Sequence, residues 1–221
     1  MLIAKTLYRK IQRLMPMDFT KVLQLQLENE SGLDRNSNNN NDKEQFPQLR
    51  FSQITENQLR QYIDDPQYEL SNAVVSSVSD EQVMCFGVYV ENTLAGYVFF
   101  CGSPVDAQRN SGGGNFTGIE LTFPDSVCYL YKMLVLPDYR GRRLSGKLIR
   151  FAASQLSSKS ISHIITTTDW TNTSFLKSTL SIGFKPKGIA GEYVIFGKRR
   201  YVLPAAITVS ENAGSIVLSK P

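Results

Sequence analysis

The residues with the most chemical potential lie in one stretch, from Tyr131 to Leu148. An apolar run ends at Pro137, and a turn follows that carries Arg140, Arg142 and Arg143 around Gly141. A helical pattern then opens at Leu144, with Ser145, Gly146 and Lys147 in its first turn. The backbone N–H groups at a helix start have no partner inside the helix, and the helix dipole adds positive potential there. Such a turn receives anions, phosphates above all, and the two glycines let a ligand approach the backbone closely. The competing account is an ordinary strand-to-helix turn with solvated basic side chains. The stretch has no Gly-x-x-x-x-Gly-Lys-Ser/Thr and no dinucleotide fingerprint.

Other chemistry is sparse. The single histidine, His163, has no second histidine with which to build a metal site or a Ser-His-Asp triad. Cys85, Cys101 and Cys128 sit in apolar runs without metal-like spacing and read as reduced core residues. Asp169 could face an acceptor amine and Glu120 could attract one, but both lie at loop positions where solvated charges are common; Trp170 beside Asp169 could wall such a site, and core is its default reading.

The elements that would position these residues follow from periodicity. The run Lys21–Glu28 sets Leu23, Leu25 and Leu27 against Gln24 and Gln26, a strand with one buried face. Thr55 caps a helix through Ile63, with Gln58 completing a capping box. Cys85–Val90 and Leu94–Cys101 are strands joined by a short turn. A glycine-rich loop, Ser103–Gly118, separates them from the strand Val127–Leu136. Next come a helix from Leu144 to Leu156, a strand over Ile161–Thr167, and a helix over Asn172–Ile182 that Gly183 terminates. Strands near Phe184–Ile189 and Tyr193–Val202 precede a small, polar tail from Pro204. This order implies an α/β fold built on a mixed sheet.

The turn resembles that of the GNAT superfamily of acetyl-CoA-dependent N-acetyltransferases. Val135-x-Pro137-x-Tyr139-Arg140-Gly141 is similar to the strand end that introduces the family's pyrophosphate loop, whose pattern is Arg/Gln-x-x-Gly-x-Gly/Ala. Here Arg140-x-x-Arg143-x-Ser145 keeps the first residue and departs at both small positions. Asn172, followed eleven positions later by Gly183-Phe184, resembles a second family block, and Leu94-Ala-Gly96-Tyr97 resembles the family's second and third strands. The resemblance runs from about Leu49 to Val202 and implies a GNAT-like acyl-CoA N-acyltransferase fold with a splayed central sheet. It divides the chain into an N-terminal extension over 1–48, an acyltransferase domain over 49–203 and a tail over 204–221.

The same resemblance implies the site. Acetyl-CoA, or another acyl-CoA, would meet the backbone of Met133, Leu134 and Val135. The turn Arg140, Gly141, Arg142, Arg143, Leu144, Ser145 and Gly146 would hold its pyrophosphate, and Asn172 would lie near the thiol end. The amide of Leu134 would stabilise the developing oxyanion, and an amine acceptor would attack the thioester directly. Many relatives carry an acidic tyrosine where this chain has Thr179, and a carboxylate base where it has Tyr129. Tyr129, placed by period-2 counting on one face with Tyr131 and Met133, becomes the candidate proton relay or substrate contact. The alternative is an ordinary strand aromatic.

Composition bounds the rest. A hydrophobic content of 42% over 221 residues supports one core, and a net charge of +4 suits an anionic ligand while falling short of a nucleic-acid-binding signature. No run reaches the roughly 18 apolar residues of a membrane span, and no secretory signal is legible, which reads as cytoplasmic. Ile3, Leu7, Ile11, Leu14 and Met15 recur at helical spacing among basic residues, so this segment either packs on the domain or touches an anionic membrane peripherally. The function expected is N-acetylation of a small-molecule or protein amine. The alternatives are a non-catalytic acyl-CoA-binding domain and a basic membrane- or nucleic-acid-binding module. Edge strands near the C-terminus allow a homodimer.

Overall fold

The computed structural model describes residues 17–27, 49–105, 120–196, 198–203, 207–210 and 214–219. The expected basic helix over the first fifteen residues, the asparagine-rich loop at 37–42 and most of the glycine-rich loop lie outside them.

The strands are β1 (Met17–Gln26), β2 (Leu49–Gln53), β3 (Val83–Val90), β4 (Thr93–Cys101), β5 (Glu120–Thr122), β6 (Val127–Val135), β7 (His163–Asp169), β8 (Lys185–Ile195), β9 (Lys198–Val202), β10 (Ile207–Ser210) and β11 (Gly214–Ser219). The helices are α1 (Glu56–Arg60), α2 (Asn72–Ser76), α3 (Leu144–Ser157) and α4 (Thr173–Ile182). Eight strands form one sheet in the order β2-β3-β4-β6-β7-β1-β8-β9. Its pairs are antiparallel except β6–β7, which is parallel. A smaller sheet has the order β10-β11-β5.

Local chemistry accounts for most boundaries. Thr55 accepts from the Gln58 N–H, and the Gln58 side chain accepts from the Thr55 N–H at 2.9 Å, so the capping box starts α1. Gly183, at φ 111°, ends α4 in the left-handed conformation that favours glycine. Val83–Val90 and Thr93–Cys101 are rich in β-branched and aromatic residues and form a hairpin.

Two apolar layers hold the sheet. One face carries Tyr97, Phe99, Tyr129 and Leu134, packed with Leu59 of α1 and Val75 of α2. The opposite face carries Phe86, Val98, Phe100 and Leu130, covered by Leu148, Ile149, Ala152 and Leu156 of α3 and Leu176 of α4. The three cysteines are buried and free, and burial pushes the Cys85 and Cys128 thiols up.

Three expectations are corrected. The two C-terminal strands are divided differently, because β8 runs unbroken through Pro186, Gly188 and Gly191 and turns only at Phe196, with φ 50°. The tail from Pro204 contains β10 and β11, and Val217–Ser219 pairs with Glu120–Thr122. The strand β1 is covered on both sides. Val22 joins one apolar layer and Leu23 the other, and even Gln24 is buried. Apolar layers cover both faces of the sheet at this point, so residues of either parity are buried.

Candidate functional site

The parallel ladder between β6 and β7 is short. It pairs Val127–Leu130 with His163–Thr166 and stops there, and the Thr166 hydroxyl donates to the Leu130 carbonyl at 2.8 Å beside the last rung. Strand β6 continues to Val135, held on its other side by β4. Beyond Leu130, no described strand pairs with the edge of β6 that faces away from β4.

A bulge starts this opening. Leu130 pairs with Phe100 and Lys132 with Phe99, so Tyr131 has no opposite residue on β4. An extra residue in one strand sharpens its twist and bends it away from a neighbour. Beyond the bulge the backbone alternates again. The Leu136 N–H donates to Ala95 of β4 at 2.9 Å, so the polar groups of Leu134 also face β4, while those of Met133 and Val135 face the opening. A second contact agrees, because Arg140 Nε reaches the outward-facing Val135 carbonyl at 2.9 Å.

At the end of β6 the chain makes a short turn over Pro137–Tyr139 and enters α3 through Arg143. Gly141 and Arg143 both adopt positive φ, 79° and 58°. Left-handed residues in a turn curl successive amides into the concavities that hold anions. No side chain caps α3 and no acidic residue occupies its first turn, so its leading N–H groups stay available to a ligand. Arg140, Gly141, Arg142 and Arg143 are all exposed.

A cavity of about 370 Å³ joins the two features. Among its walls are Met133, Leu134 and Val135 of β6, Arg140, Gly141, Arg143, Leu144 and Ser145 of the turn, and Asn172 before α4. Nine of the residues singled out from sequence thus meet around one space. Gly146 lies behind it, buried where α3 packs on Ile182, and Arg142 instead extends over the Tyr139 ring, 6.0 Å from its centroid. The Asn172 side chain accepts from the Phe175 N–H at 3.2 Å and so caps α4.

Sequence reasoning missed Ser174, Phe175 and Ser178, which with Tyr139 of the turn complete the lining. Ser174, Phe175 and Ser178 lie at helical spacing on α4, one turn apart, and the Ser145 and Ser178 hydroxyls are 2.9 Å from each other. That spacing was the signal available.

The expected proton-handling residues stand elsewhere. Tyr129 is 1% exposed and its hydroxyl lies 2.5 Å from Thr167 Oγ1, inside the core rather than in the cavity wall. Burial, ahead of any partner, pushes its phenol far above the ordinary value. Nor do Tyr129, Tyr131 and Met133 share a face: Tyr129 and Tyr131 pack in one apolar layer and Met133 in the other, because the bulge resets the alternation. The Leu134 amide points to β4, away from the opening. Thr179 is buried, and its hydroxyl donates back to Phe175 O at 2.9 Å within α4. The Asp169 carboxylate accepts from the Thr171 N–H and shapes the loop that leads to Asn172.

A mixed sheet splayed at its one parallel pair, with an anion-receptive helix start beside the splay, is the architecture of acyl-CoA-dependent acyltransferases. Residues 44–177, well over half of the chain, match the family described as Acetyltransferase (GNAT) family, and the chain belongs to that family. The family uses acetyl-CoA. No curated protein matches the sequence significantly. Among solved structures, a functionally unknown conserved protein from Staphylococcus epidermidis is 13% identical at a TM-score of 0.50, over 85% of this chain and 65% of that one. The aminoglycoside acetyltransferase AAC(6')-Iy, solved with a bisubstrate analogue, is 18% identical at 0.48, over 69% of this chain and 99% of that one. A ribosomal-protein-alanine N-acetyltransferase from Brucella melitensis biovar Abortus is 16% identical at 0.45, over 61% and 90%. Likenesses this distant leave the acceptor open. No helix among the described residues is long and apolar enough to cross a membrane.

Proposed function

We propose that this protein transfers an acetyl group from acetyl-CoA to a primary amine by direct attack of the amine on the thioester. The observation that carries the reading is the unpaired edge of β6 opening into the same cavity as the uncapped start of α3. The outward-facing backbone of Met133 and Val135 offers strand-like hydrogen bonds to an amide-bearing arm. The amides from Leu144 onward, with Arg140 and Arg143, offer a seat for a pyrophosphate.

The work of the protein is then chiefly positioning. An amine held beside a fixed thioester gains from orientation, and an N–H already aimed at the carbonyl oxygen stabilises the charge that develops there. The N–H groups of Met133 and Val135 have the direction for that role, which the sequence had assigned to Leu134. As the C–N bond forms and the C–S bond breaks, the amine proton passes to solvent or to the departing thiolate. Neither Tyr129 nor Thr179 has the exposure to take it.

Calorimetric titration with acetyl-CoA tests the reading, run beside a double variant, Arg140→Ala with Arg143→Ala. Binding in the micromolar range is expected, and the double variant should weaken it by about tenfold or more, since two charge-assisted contacts are lost. Absence of binding to acetyl-CoA and to free CoA would dismiss the reading.

A further inference from the structure

Lys132 occupies an unusual place for a lysine. It follows the bulge on β6, a central strand, and pairs with Phe99. Paired residues on neighbouring strands share a face, and Phe99 belongs to the apolar layer of α1 and α2, so Lys132 projects into that layer. It is half-buried there. Aromatic rings pave its surroundings, with Tyr97 and Phe99 5.4 Å apart and Phe99 and Tyr131 5.6 Å apart between centroids.

The groups around it are held in place. The Tyr97 hydroxyl donates to the Tyr68 carbonyl at 2.6 Å, fixing the short turn Pro66–Tyr68. Glu69 follows in a left-handed conformation, at φ 50°, and its carboxylate bears electrostatically on both Lys132 and Tyr97. The Tyr131 hydroxyl lies 3.2 Å from Ser77 Oγ. Yet among the described residues none forms a hydrogen bond or ion pair with the Lys132 ammonium. Burial pulls its pKa below the ordinary lysine value, and Glu69 offsets only part of that.

A half-buried ammonium without a bonded partner among the described residues costs stability, and an aliphatic side chain would fill the place better. The acetyl donor's phosphates cannot be its partner in this architecture, because their seat at the α3 start lies on the opposite face of the sheet. The face of Lys132 is the other approach to the unpaired edge of β6, the side left for an acceptor.

We propose that Lys132 is a specificity-determining residue of the acceptor site, and that the acetylated amine belongs to a molecule that also carries an oxyanion, received by the Lys132 ammonium. This rests on the acetyltransferase reading above. Carboxylate and phosphate share the chemistry that the ammonium recognises. Glu69 stands on the same face to favour the cationic end of such an acceptor, so a molecule bearing both charges complements the pair better than a simple amine.

The experiment uses the full chain, Lys132→Met and Lys132→Arg, with acceptors matched except for the anion: tyrosine against tyramine, and phosphoethanolamine against ethanolamine. CoA thiol release gives kcat and KM for each. The wild type should prefer the anionic member of at least one pair by about tenfold or more in kcat/KM. The pair that shows the preference distinguishes carboxylate from phosphate. Lys132→Met should abolish the preference, chiefly through KM, and Lys132→Arg should keep most of it. The Met variant should also melt about 2 °C higher, as expected when an unpaired charge is replaced by an apolar chain of similar size. An unchanged preference in Lys132→Met overturns the inference, as does a lower melting temperature, which would give Lys132 a structural role. Acetylation of neither anionic amine by a protein that binds acetyl-CoA also overturns it and leaves the acetyltransferase reading standing. Loss of acetyl-CoA binding in the wild type removes both.

Discussion

At the scale of single residues, the bulge at Tyr131 separates what local pattern can reveal from what it cannot. Tyr129 and Met133 are an even number of positions apart, which in an unbroken strand puts them on one face. The extra residue in β6 puts them on opposite faces and leaves Tyr129 in the core against Thr167. Its hydroxyl is then a structural group. Tyr129→Phe should lower unfolding stability by about 1 kcal/mol, the ordinary worth of a buried hydrogen bond, and leave the rate of acetyl transfer within about twofold. Urea denaturation beside a thiol-release assay checks both, and a large rate loss in a stable variant would restore Tyr129 to the chemistry. The basic turn was legible because its content is local: a strand end, glycine, arginines and a helix start within a dozen residues. The bulge was not, because it exists only in the register between β6 and β4, which no single segment encodes.

At the scale of elements, β4 is the support on which the unpaired part of β6 depends. Gly96 lies opposite Val135, and a Cβ built on it would stand 2.8 Å from the Leu134 carbonyl oxygen and 3.2 and 3.3 Å from atoms of Val135. The nearest of these atoms is backbone and cannot swing away. Gly96→Ala should therefore destabilise the protein by about 2 kcal/mol through overpacking. It should also weaken acetyl-CoA binding, because the strand it displaces carries the outward-facing groups of Met133 and Val135. Denaturation and calorimetry read the two effects separately, and a variant as stable as the wild type would show that β6 has room to yield. Elements with their own start and stop chemistry were readable, as the Thr55–Gln58 box and Gly183 show. The division of β8 from β9 was not, since Pro186 and two glycines suggest a break where pairing with β1 from Lys185 to Tyr193 keeps the strand in line, with β9 joining from Gly191. Strands β10 and β11 escaped for a related reason: their composition is small and polar, and β5 supplies the partner that makes Val217–Ser219 a strand.

At the scale of the whole molecule, β1 ties the two halves of the large sheet together, with β7 on one side and β8 on the other. Polar side chains buried along this junction make it sensitive to acid. His163, paired with Gln26, is buried, its Nδ1 lies 2.8 Å from the Ser162 hydroxyl, and its Nε2 has no hydrogen-bond partner among the described residues. Burial lowers its pKa from 6.5, and Lys187 lowers it further. Well above pH 6.5 the imidazole is neutral whether the chain is folded or unfolded. As pH falls through that value the unfolded chain takes up a proton that the folded protein resists, so stability is lost. Urea denaturation at about pH 7.5 and 5.5 should show a fall that His163→Gln reduces; an equal fall in both proteins would mean that other groups carry the acid sensitivity.

The interior position of β1 also sets an order of events during synthesis. Met17–Gln26 leaves the ribosome before either partner, since the strand that flanks it, His163–Asp169, follows only about 140 residues later, and β8 later still. At about 5–20 residues per second, the sticky edge of β1 stays without its partners for roughly 7 to 28 seconds. The newborn chain must keep one of its central strands waiting while the intervening residues are made, and a slow codon or an arrested ribosome in that interval would leave it to pair with a neighbour instead.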